Sequence, residues 1–304
     1  MIVDCHTHIW ESTEQLGLSA ALWEPRPRGR TAQAPPRAST ADHLTAAKPV
    51  DFSIVLAFKS HHLSADVPND YVADYVRQHG DKIIGFASVD PTRPREAIDE
   101  LHKAHEQLGL KGLTVWPAAQ NFHPTCTPAM RVYQEAARLR IPIMFHQNAT
   151  ASPQTRMEFA RPYLIDEVAR EFPDLRIIVA QLGYPWIEEA VVLLAKHRNV
   201  FADISGLLLH PWQSYQALLS AYQGGVMDAL LFGSNFPFTL PATCIESLYS
   251  INQVCHGTNL PTIPREQLRQ IVERNALEAL GIETRVKIRE RDTTVLTADD
   301  EEGR

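Results

Sequence analysis

The sequence contains few cysteines and no long apolar run. Its 304 residues include four cysteines, Cys5, Cys126, Cys244 and Cys255, and no two of them form a CxxC motif. This usage argues against a disulfide scaffold, so reduced thiols are expected. No apolar stretch approaches membrane-spanning length, and the chain opens into a β-type run without the regions of a signal peptide. A cytoplasmic protein with no membrane partner is predicted.

Clustered positive charge is also missing. The chain has 29 Lys and Arg against 36 Asp and Glu, a formal net charge of -7 at pH 7, and no basic run. Nucleic acids and anionic membranes need a basic surface, so neither is expected as a partner. A small-molecule substrate is favoured instead. Composition does not address the oligomeric state, and a homodimer stays open.

A dinucleotide-binding fingerprint is absent, but a regular alternation of elements is present. After a first strand, strands are predicted at residues 51–58, 82–89, 111–116, 143–146, 175–181, 199–204 and 229–233. Helices are predicted at residues 69–79, 94–108, 128–140, 161–172, 185–197 and 215–222, with a closing helix at 264–280. Without a Gly-x-Gly-x-x-Gly turn after the first strand, an open doubly wound sheet is disfavoured. The alternation predicts a single α/β domain, a (β/α)8 TIM barrel over residues 1–288.

Two segments fall outside this alternation. Residues 10–49 contain Pro- and Gly-rich stretches and predict a long irregular loop after the first strand. This loop is either a lid over a site at that strand end or a loosely packed surface insertion. Residues 289–304, with four consecutive acidic residues at 299–302, predict a disordered acidic tail.

The first strand ends in two histidines, within Val3-Asp4-Cys5-His6-Thr7-His8. Residues two apart on a strand point to the same face, so His6 and His8 are expected to aim at one point, with Cys5 pointing away from both. Two imidazoles presented by one rigid element suit a single metal ion. On its own a His-x-His pair is unspecific.

Polar side chains recur where the other predicted strands end. In a barrel of this type, catalytic groups lie at the C-terminal ends of the strands. His146 ends the fifth predicted strand, Gln181 the sixth, Asp203 lies in the seventh, and Asn235 follows the eighth. More histidines are expected near the same rim: His61, His62, His123 and His210.

Several motifs together resemble the amidohydrolase superfamily, in the branch that includes 2-amino-3-carboxymuconate-semialdehyde decarboxylase, resorcylate decarboxylases and pyrone-dicarboxylate lactonases. The resemblance spans most of the chain. It rests on the first-strand motif, Gly112-Leu113-Thr114 through Pro117, residues 143–146, Gln181-Leu182-Gly183 with Pro185-Trp186, residues 199–206, residues 232–238, and Asn275-Ala276. It implies a mononuclear site in which His6, His8 and His146 hold one divalent metal, commonly zinc.

Two positions depart from the family pattern. Gln181 stands where the family has an acid-base histidine, and Asn235 stands where it has an aspartate that binds the metal. An asparagine offers only a neutral oxygen, and neither amide accepts and releases a proton near neutral pH. The metal is therefore expected to bind more weakly than in the family, or to be lost. A replacement base would have to come from His61, His62, His123, His210 or Asp203, and Asp203 is the main candidate.

The function expected from this resemblance is metal-assisted hydrolysis of a small carboxylated cyclic ester or amide. Gln181 and Asn235 would orient substrate or water. Trp116, Tyr184 and Trp186 would contact an apolar or aromatic substrate, and Arg161 would bind its carboxylate in the bidentate manner that arginine favours. The alternatives are a lyase that performs non-oxidative decarboxylation, a metal-independent lactonase, and a catalytically silent relative that only binds a ligand.

Overall fold

A computed structural model describes residues 1–23, 35–147 and 152–283 of the chain. The strands in these residues are β1 (Val3–His8), β2 (Phe52–Leu56), β3 (Phe58–Ser60), β4 (Ala65–Val67), β5 (Ile83–Ser88), β6 (Gly112–Val115), β7 (Ile143–Phe145), β8 (Ile177–Val179), β9 (Val200–Asp203) and β10 (Leu230–Leu231). Strands β3 and β4 pair as a small antiparallel hairpin. The other eight form one parallel sheet in the order β1-β2-β5-β6-β7-β8-β9-β10.

The sheet closes on itself between its first and last strands. The backbone N–H of Cys5 donates to the carbonyl of Phe232 at 2.9 Å, and that of His8 donates to Phe236 at 2.8 Å. In the other direction, the N–H of Asn235 donates to the carbonyl of His6 at 2.9 Å. These bonds complete a barrel of eight parallel strands, and the predicted TIM-barrel fold is confirmed.

Helices separate the strands as the alternation predicts. The α-helices in the described ranges are α1 (Thr40–Ala46), α2 (Asn69–His79), α3 (Pro94–His102), α4 (Pro117–Gln120), α5 (Thr127–Arg138), α6 (Ile165–Glu171), α7 (Ile187–Lys196), α8 (Pro211–Gln223), α9 (Pro241–Tyr249), α10 (Arg265–Glu273) and α11 (Ala276–Ala279). The sequence analysis missed α9. The predicted helix at 161–172 is α-helical only in α6, because two 3-10 turns, Met157–Ala160 and Pro162–Leu164, precede it.

The segment after β1 is more ordered than predicted. Within residues 10–49, Thr13–Trp23 forms a 3-10 segment and Thr40–Ala46 forms α1, so the prediction of an irregular loop is wrong for both. The helix α1 begins at Ser39, whose hydroxyl accepts the N–H of Asp42 and so satisfies one of the free donors of the first turn. Residues 24–34 of the predicted lid lie outside the described residues.

The core has two layers, one outside and one inside the barrel. Outward-facing residues of β6 to β10 pack against helices α3 and α5 to α10. The inside is filled by a second cluster, and it includes Phe86, Met144, Ile178 and Leu231. Residues of α11 and the segment after it join this cluster and close the N-terminal end of the barrel. In barrels of this type, catalytic groups lie at the opposite, C-terminal end of the strands.

A β-bulge in β1 changes which residues point inward. Asp4 pairs with Ser53 and Thr7 with Val55, so Cys5 and His6 together face a single residue of β2. An extra residue interrupts the alternation of a strand and re-aims its side chains. Cys5 accordingly packs in the interior cluster below the histidines, and the prediction that it points away from them is wrong.

No helix in the described part of the chain is long and apolar enough to span a membrane. The proposed tail, residues 289–304, lies outside the described residues, and its disorder stays a prediction. The assignment of residues 1–288 to the barrel also stays a prediction beyond residue 283.

Candidate metal centre

Three histidines from two strands converge at the C-terminal end of the barrel. The bulge in β1 turns His6 and His8 toward the barrel axis, and His146 follows β7 directly. Nε2 of His6 lies 3.1 Å from Nε2 of His8 and 3.1 Å from Nε2 of His146. All three rings are buried, and their ligand atoms lie within 4.8 Å of one another. The structure therefore brings together the three residues that the sequence resemblance implies as metal ligands.

Asp203 fixes the orientation of the His6 ring. Its Oδ2 accepts a hydrogen bond from Nδ1 of His6 at 3.0 Å, and both side chains are fully buried. A carboxylate can only accept, so Nδ1 of His6 carries the proton of this bond, and Nε2 is the ring atom that faces the other two histidines. Asp203, predicted from the sequence as a catalytic residue, thus contacts the site through His6.

Two backbone groups also bind the Asp203 carboxylate. Its Oδ1 accepts the N–H of Ser205 at 2.9 Å and that of Gln181 at 3.2 Å. Burial alone would raise the pKa of this carboxyl, but the interaction with His6 and the bonds from Ser205 outweigh it and hold the pKa below its usual value. The group is therefore ionised at neutral pH.

The chemistry of the donor set fits a divalent metal. Burial, then the neighbouring His6, lowers the pKa of both His8 and His146 well below the usual value, so these rings are neutral near pH 7. Neutral imidazole nitrogens are good ligands for zinc and for related divalent ions. Among the described residues, His6, His8 and His146 form the one group of three or more metal-type side chains close enough to share an ion.

Gln181 and Asn235 lie beside the three histidines on strained backbone. Gln181 follows β8 with φ 57° and Asn235 follows β10 with φ 63°, both in the left-handed region. Burial lowers the pKa of His8, and the nearby Asn235 side chain partly opposes this lowering. A Cβ built on Gly206 would lie 3.2 Å from Nε2 of Gln181 and 3.4 Å from Nδ2 of Asn235, so both amides border the same backbone. Left-handed conformations at two such positions are typical of functional sites.

Aromatic side chains cover the histidines. The Trp116 ring stacks on His146, with ring centroids 3.5 Å apart and planes 10° from parallel. Phe238 lies edge-on to His8 at 6.5 Å and contacts Trp10 at 6.3 Å. The structure thus brings Trp116 to the site as predicted. Phe238 and Trp10 were missed, because only the fold shows that the segments after β10 and β1 meet here.

The remaining substrate-binding candidates lie on the loops after β7 and β8. Arg161 donates to the carboxylate of Glu189 and lies 5.5 Å from the Trp186 ring centroid. Tyr184 is exposed to solvent, and Trp186 is half-buried. Glu189 occupies one bidentate edge of the Arg161 guanidinium, so a substrate carboxylate could bind that edge only if this pair opened. The substrate-binding roles of Arg161, Tyr184 and Trp186 stay predictions.

The other rim histidines do not contact the three-histidine cluster in the described hydrogen bonds. Nε2 of His62 bonds to the carbonyl of Gln154 at 3.1 Å, and Nδ1 of His123 bonds to the Thr125 hydroxyl at 3.0 Å. The side chains of His61 and His210 are exposed. The structure gives no support to any of the four as the replacement base.

Two further polar residues support β1 and were not singled out from the sequence. Asp4 accepts the N–H groups of Ser234 at 2.8 Å and His6 at 3.3 Å, and burial raises its pKa to about 6. His43 of α1 bonds through Nε2 to the Thr7 hydroxyl at 2.9 Å. Both residues depend on contacts between segments far apart in the sequence, so no local pattern identifies them.

Comparison with known proteins places this geometry in context. A family model described as amidohydrolase matches residues 3–282. The solved 5-carboxyvanillate decarboxylase from Sphingomonas paucimobilis matches with a TM-score of 0.66 at 14% identity, covering 93% of this chain and 99% of that one. A dihydroxybenzoic acid decarboxylase from a Polaromonas species, with bound manganese and 2-nitroresorcinol, matches with a TM-score of 0.63 at 16% identity, covering 92% and 97%.

A third solved structure comes from a different reaction class. A probable 2-pyrone-4,6-dicarboxylic acid hydrolase from Acinetobacter baumannii, with citric acid bound, matches with a TM-score of 0.61 at 14% identity, covering 92% of this chain and 99% of that one. At these identities the three structures establish a shared fold. They include decarboxylases and a hydrolase, so the fold alone does not choose between the two reactions.

Proposed function

The chain belongs to the amidohydrolase family, and from that premise we propose that it is a metal-dependent hydrolase of a small, carboxylated cyclic ester or amide. The observation that carries the proposal is the convergence of three buried Nε2 atoms, with His6 Nε2 3.1 Å from each of the others. His6, His8 and His146 would hold one divalent metal, zinc or manganese.

The metal would supply the electrophile that the polypeptide lacks. When bound in such a site, a divalent ion acts as a Lewis acid on a carbonyl oxygen and lowers the pKa of water to about 7. The chain's own groups then bind and orient. Asn235, beside His8, and Gln181 can each donate to or accept from a substrate oxygen or a water.

Hydrolysis needs less from the protein than decarboxylation does at this site. A decarboxylase must deliver a proton to carbon, and Gln181 and Asn235 cannot carry one near neutral pH. Asp203 is ionised and its oxygens accept three donors, so it is not free to act as that acid. Trp116 stacks on His146 and Phe238 lies edge-on to His8, so an apolar or aromatic part of a substrate would meet these rings.

Non-oxidative decarboxylation is the second candidate, and one observation favours it. Two of the three solved structures named above are decarboxylases of carboxylated aromatic acids, and the third is a probable hydrolase of a pyrone dicarboxylic acid. The substrates after which all three proteins are named carry carboxyl groups, which supports a carboxylated substrate for this chain. If no metal binds, the chain would be a metal-independent lactonase or a catalytically silent relative that only binds a ligand.

A substrate panel separates these candidates. The purified protein, with zinc or manganese added, is incubated with carboxylated lactones, cyclic amides and hydroxybenzoates, and ring-opened acid and carbon dioxide are measured separately. We expect ring-opened acid, and we expect the His146→Ala variant to form none. Carbon dioxide without ring opening would establish the lyase instead. Equal turnover by the His146→Ala variant and the wild type would support a metal-independent lactonase.

A further inference from the structure

We infer that Asp203 is a positioning residue that acts through His6 and supplies the metal centre with the negative charge that Asn235 cannot give. The inference rests on the proposed function, because it concerns how the three histidines hold a metal. It changes the role predicted for Asp203 from the sequence, where it was a candidate base.

Three hydrogen bonds already engage the Asp203 carboxylate. Asp203 accepts from Nδ1 of His6 on one oxygen and from the backbone N–H groups of Ser205 and Gln181 on the other. The side chain is fully buried. A general base needs a free lone pair within reach of substrate or water, and these contacts leave Asp203 poorly placed for that task. They suit a group whose task is to hold a neighbour in position.

The donor set itself carries no negative charge. Imidazoles bind a metal as neutral ligands and an asparagine amide is neutral, so a divalent ion would find no compensating charge among these four side chains. Asp203 is the carboxylate bonded to a ring of the cluster. A carboxylate that accepts from the far nitrogen of a histidine fixes its tautomer and raises its basicity as a ligand. The Asp203 carboxylate would thus lie on the opposite side of the His6 ring from the bound metal ion.

Asp4 is the other carboxyl beside His6, but it does not orient the His6 ring. Asp4 accepts from the backbone N–H of His6, not from its ring, so it does not set the His6 tautomer. One of its oxygens has no hydrogen-bond partner. Asp203 has partners from three separate segments: β1, the turn after β8, and the turn after β9. The ring of His6 and the turn that carries Gln181 are therefore held by the same carboxylate.

Metal affinity tests the inference without reference to turnover. Dissociation constants for zinc and manganese are measured on the apoprotein, by competition with a chromophoric chelator, for wild type and for Asp203→Asn, Asn235→Asp and the double variant. Loss of a carboxylate that orients a ligand weakens metal binding by roughly 10- to 100-fold, and we expect that loss in Asp203→Asn. The same change is expected to cost less in the Asn235→Asp background, where a direct acidic ligand supplies the charge.

Asp166→Asn is the matched control. Asp166 accepts from Nε2 of His197 at 2.7 Å, so this variant also breaks an aspartate–histidine pair, but one between α6 and the end of α7 instead of at the three histidines. Its metal affinity should equal that of the wild type. An Asp203→Asn variant within about twofold of the wild type would overturn the inference, and so would an equal cost in both backgrounds. A wild type that binds no metal would remove the proposed function and this inference with it.

A spectroscopic measurement covers the case in which Asp203→Asn does not fold. Nitrogen-15 NMR of histidine-labelled wild-type protein distinguishes Nδ1–H from Nε2–H tautomers, and the His6→Gln variant identifies the His6 signals. We expect the Nδ1–H tautomer for His6 in the apoprotein at neutral pH. An Nε2–H tautomer would mean that Asp203 does not hold the ring as proposed.

Discussion

The backbone near the three histidines includes a conformation that residues with a side chain rarely adopt. Gly206, after β9, has φ +71°, and a Cβ there would press on the amides of Gln181 and Asn235. Glycine is favoured at such a position because an L-residue is strained at positive φ and because a Cβ would meet both amides at short range. The amides of Gln181 and Asn235 thus lie against the backbone of Gly206.

Gly206→Ala is expected to disturb the site more than the fold. The positive φ costs about 1 kcal/mol of unfolding free energy in alanine. The new methyl group would also push the side-chain amides of Gln181 and Asn235, which is expected to shift their NMR signals and lower turnover about tenfold.

Gly225→Ala separates these two effects. Gly225 has φ +69°, but nothing lies within 4 Å of the Cβ that the variant would carry. The urea unfolding free energy should fall by a similar amount in both variants. The amide signals and the turnover should change only in Gly206→Ala, and equal changes in both would contradict the packing described for Gly206.

The residue identities at the site were more predictable than their roles. The first-strand motif and the strand ends indicate His6, His8, His146 and Asp203 from the sequence alone. The role of Asp203 depends on a contact between residues 197 positions apart in the chain, and no local pattern encodes it. Which way a polar side chain points is decided by such long-range contacts.

At the scale of elements, α1 is attached to the barrel by a buried histidine. Nε2 of His43 donates to the hydroxyl of Thr7 in β1, because that hydroxyl already donates to the carbonyl of Ile54 at 2.7 Å. Nδ1 of His43 then accepts from the hydroxyl of Tyr75 in α2 at 2.9 Å. One neutral imidazole thus joins α1, β1 and α2.

This arrangement makes stability depend on pH. Burial, with a smaller effect of the Lys82 charge, lowers the pKa of His43 from 6.5 to about 4. The unfolded chain therefore binds the proton more readily than the folded protein, so stability falls as the pH falls from about 6.5 toward about 4. This group alone should cost about 2 kcal/mol between pH 7 and pH 4.5.

Urea unfolding of wild type, His43→Gln and His256→Gln near pH 7 and pH 4.5 measures that contribution. His43→Gln is expected to be less stable near pH 7, where its hydrogen bonds are lost, but to lose about 2 kcal/mol less than wild type on acidification. His256 is exposed, and its variant should follow the wild type. A pH dependence of His43→Gln identical to that of the wild type would contradict the neutral, buried state of His43.

Elements with strong hydrophobic periodicity were predicted well from the sequence. A local departure from that periodicity, the bulge in β1, was not. The helix α2 was predicted with its observed bounds, Asn69–His79. The bulge in β1 was missed because strict alternation was assumed, and one extra residue reverses the faces of a strand. The prediction for the histidines nevertheless agrees with the structure, because the faces still alternate from His6 through Thr7 to His8.

At the scale of the whole molecule, the barrel brings residues far apart in the sequence to one end. The alternation of strands and helices predicts the parallel barrel, and the position of strand ends predicts where the site lies. The aromatic cover and the hydrogen bonds that close β1 against the segment after β10 follow only from the folded chain. The fold is therefore largely readable from the sequence, whereas the interactions that set the chemistry are not.

The proposed function depends most on whether the three histidines hold a metal. Elemental analysis of the purified protein, after incubation with zinc or manganese and removal of excess ion, measures this directly. We predict one equivalent of divalent metal per chain in the wild type and a large loss in the His146→Ala variant, in which two imidazoles remain. No metal in the wild type, or an equal metal content in the variant, would contradict the assignment of His6, His8 and His146 as the metal centre.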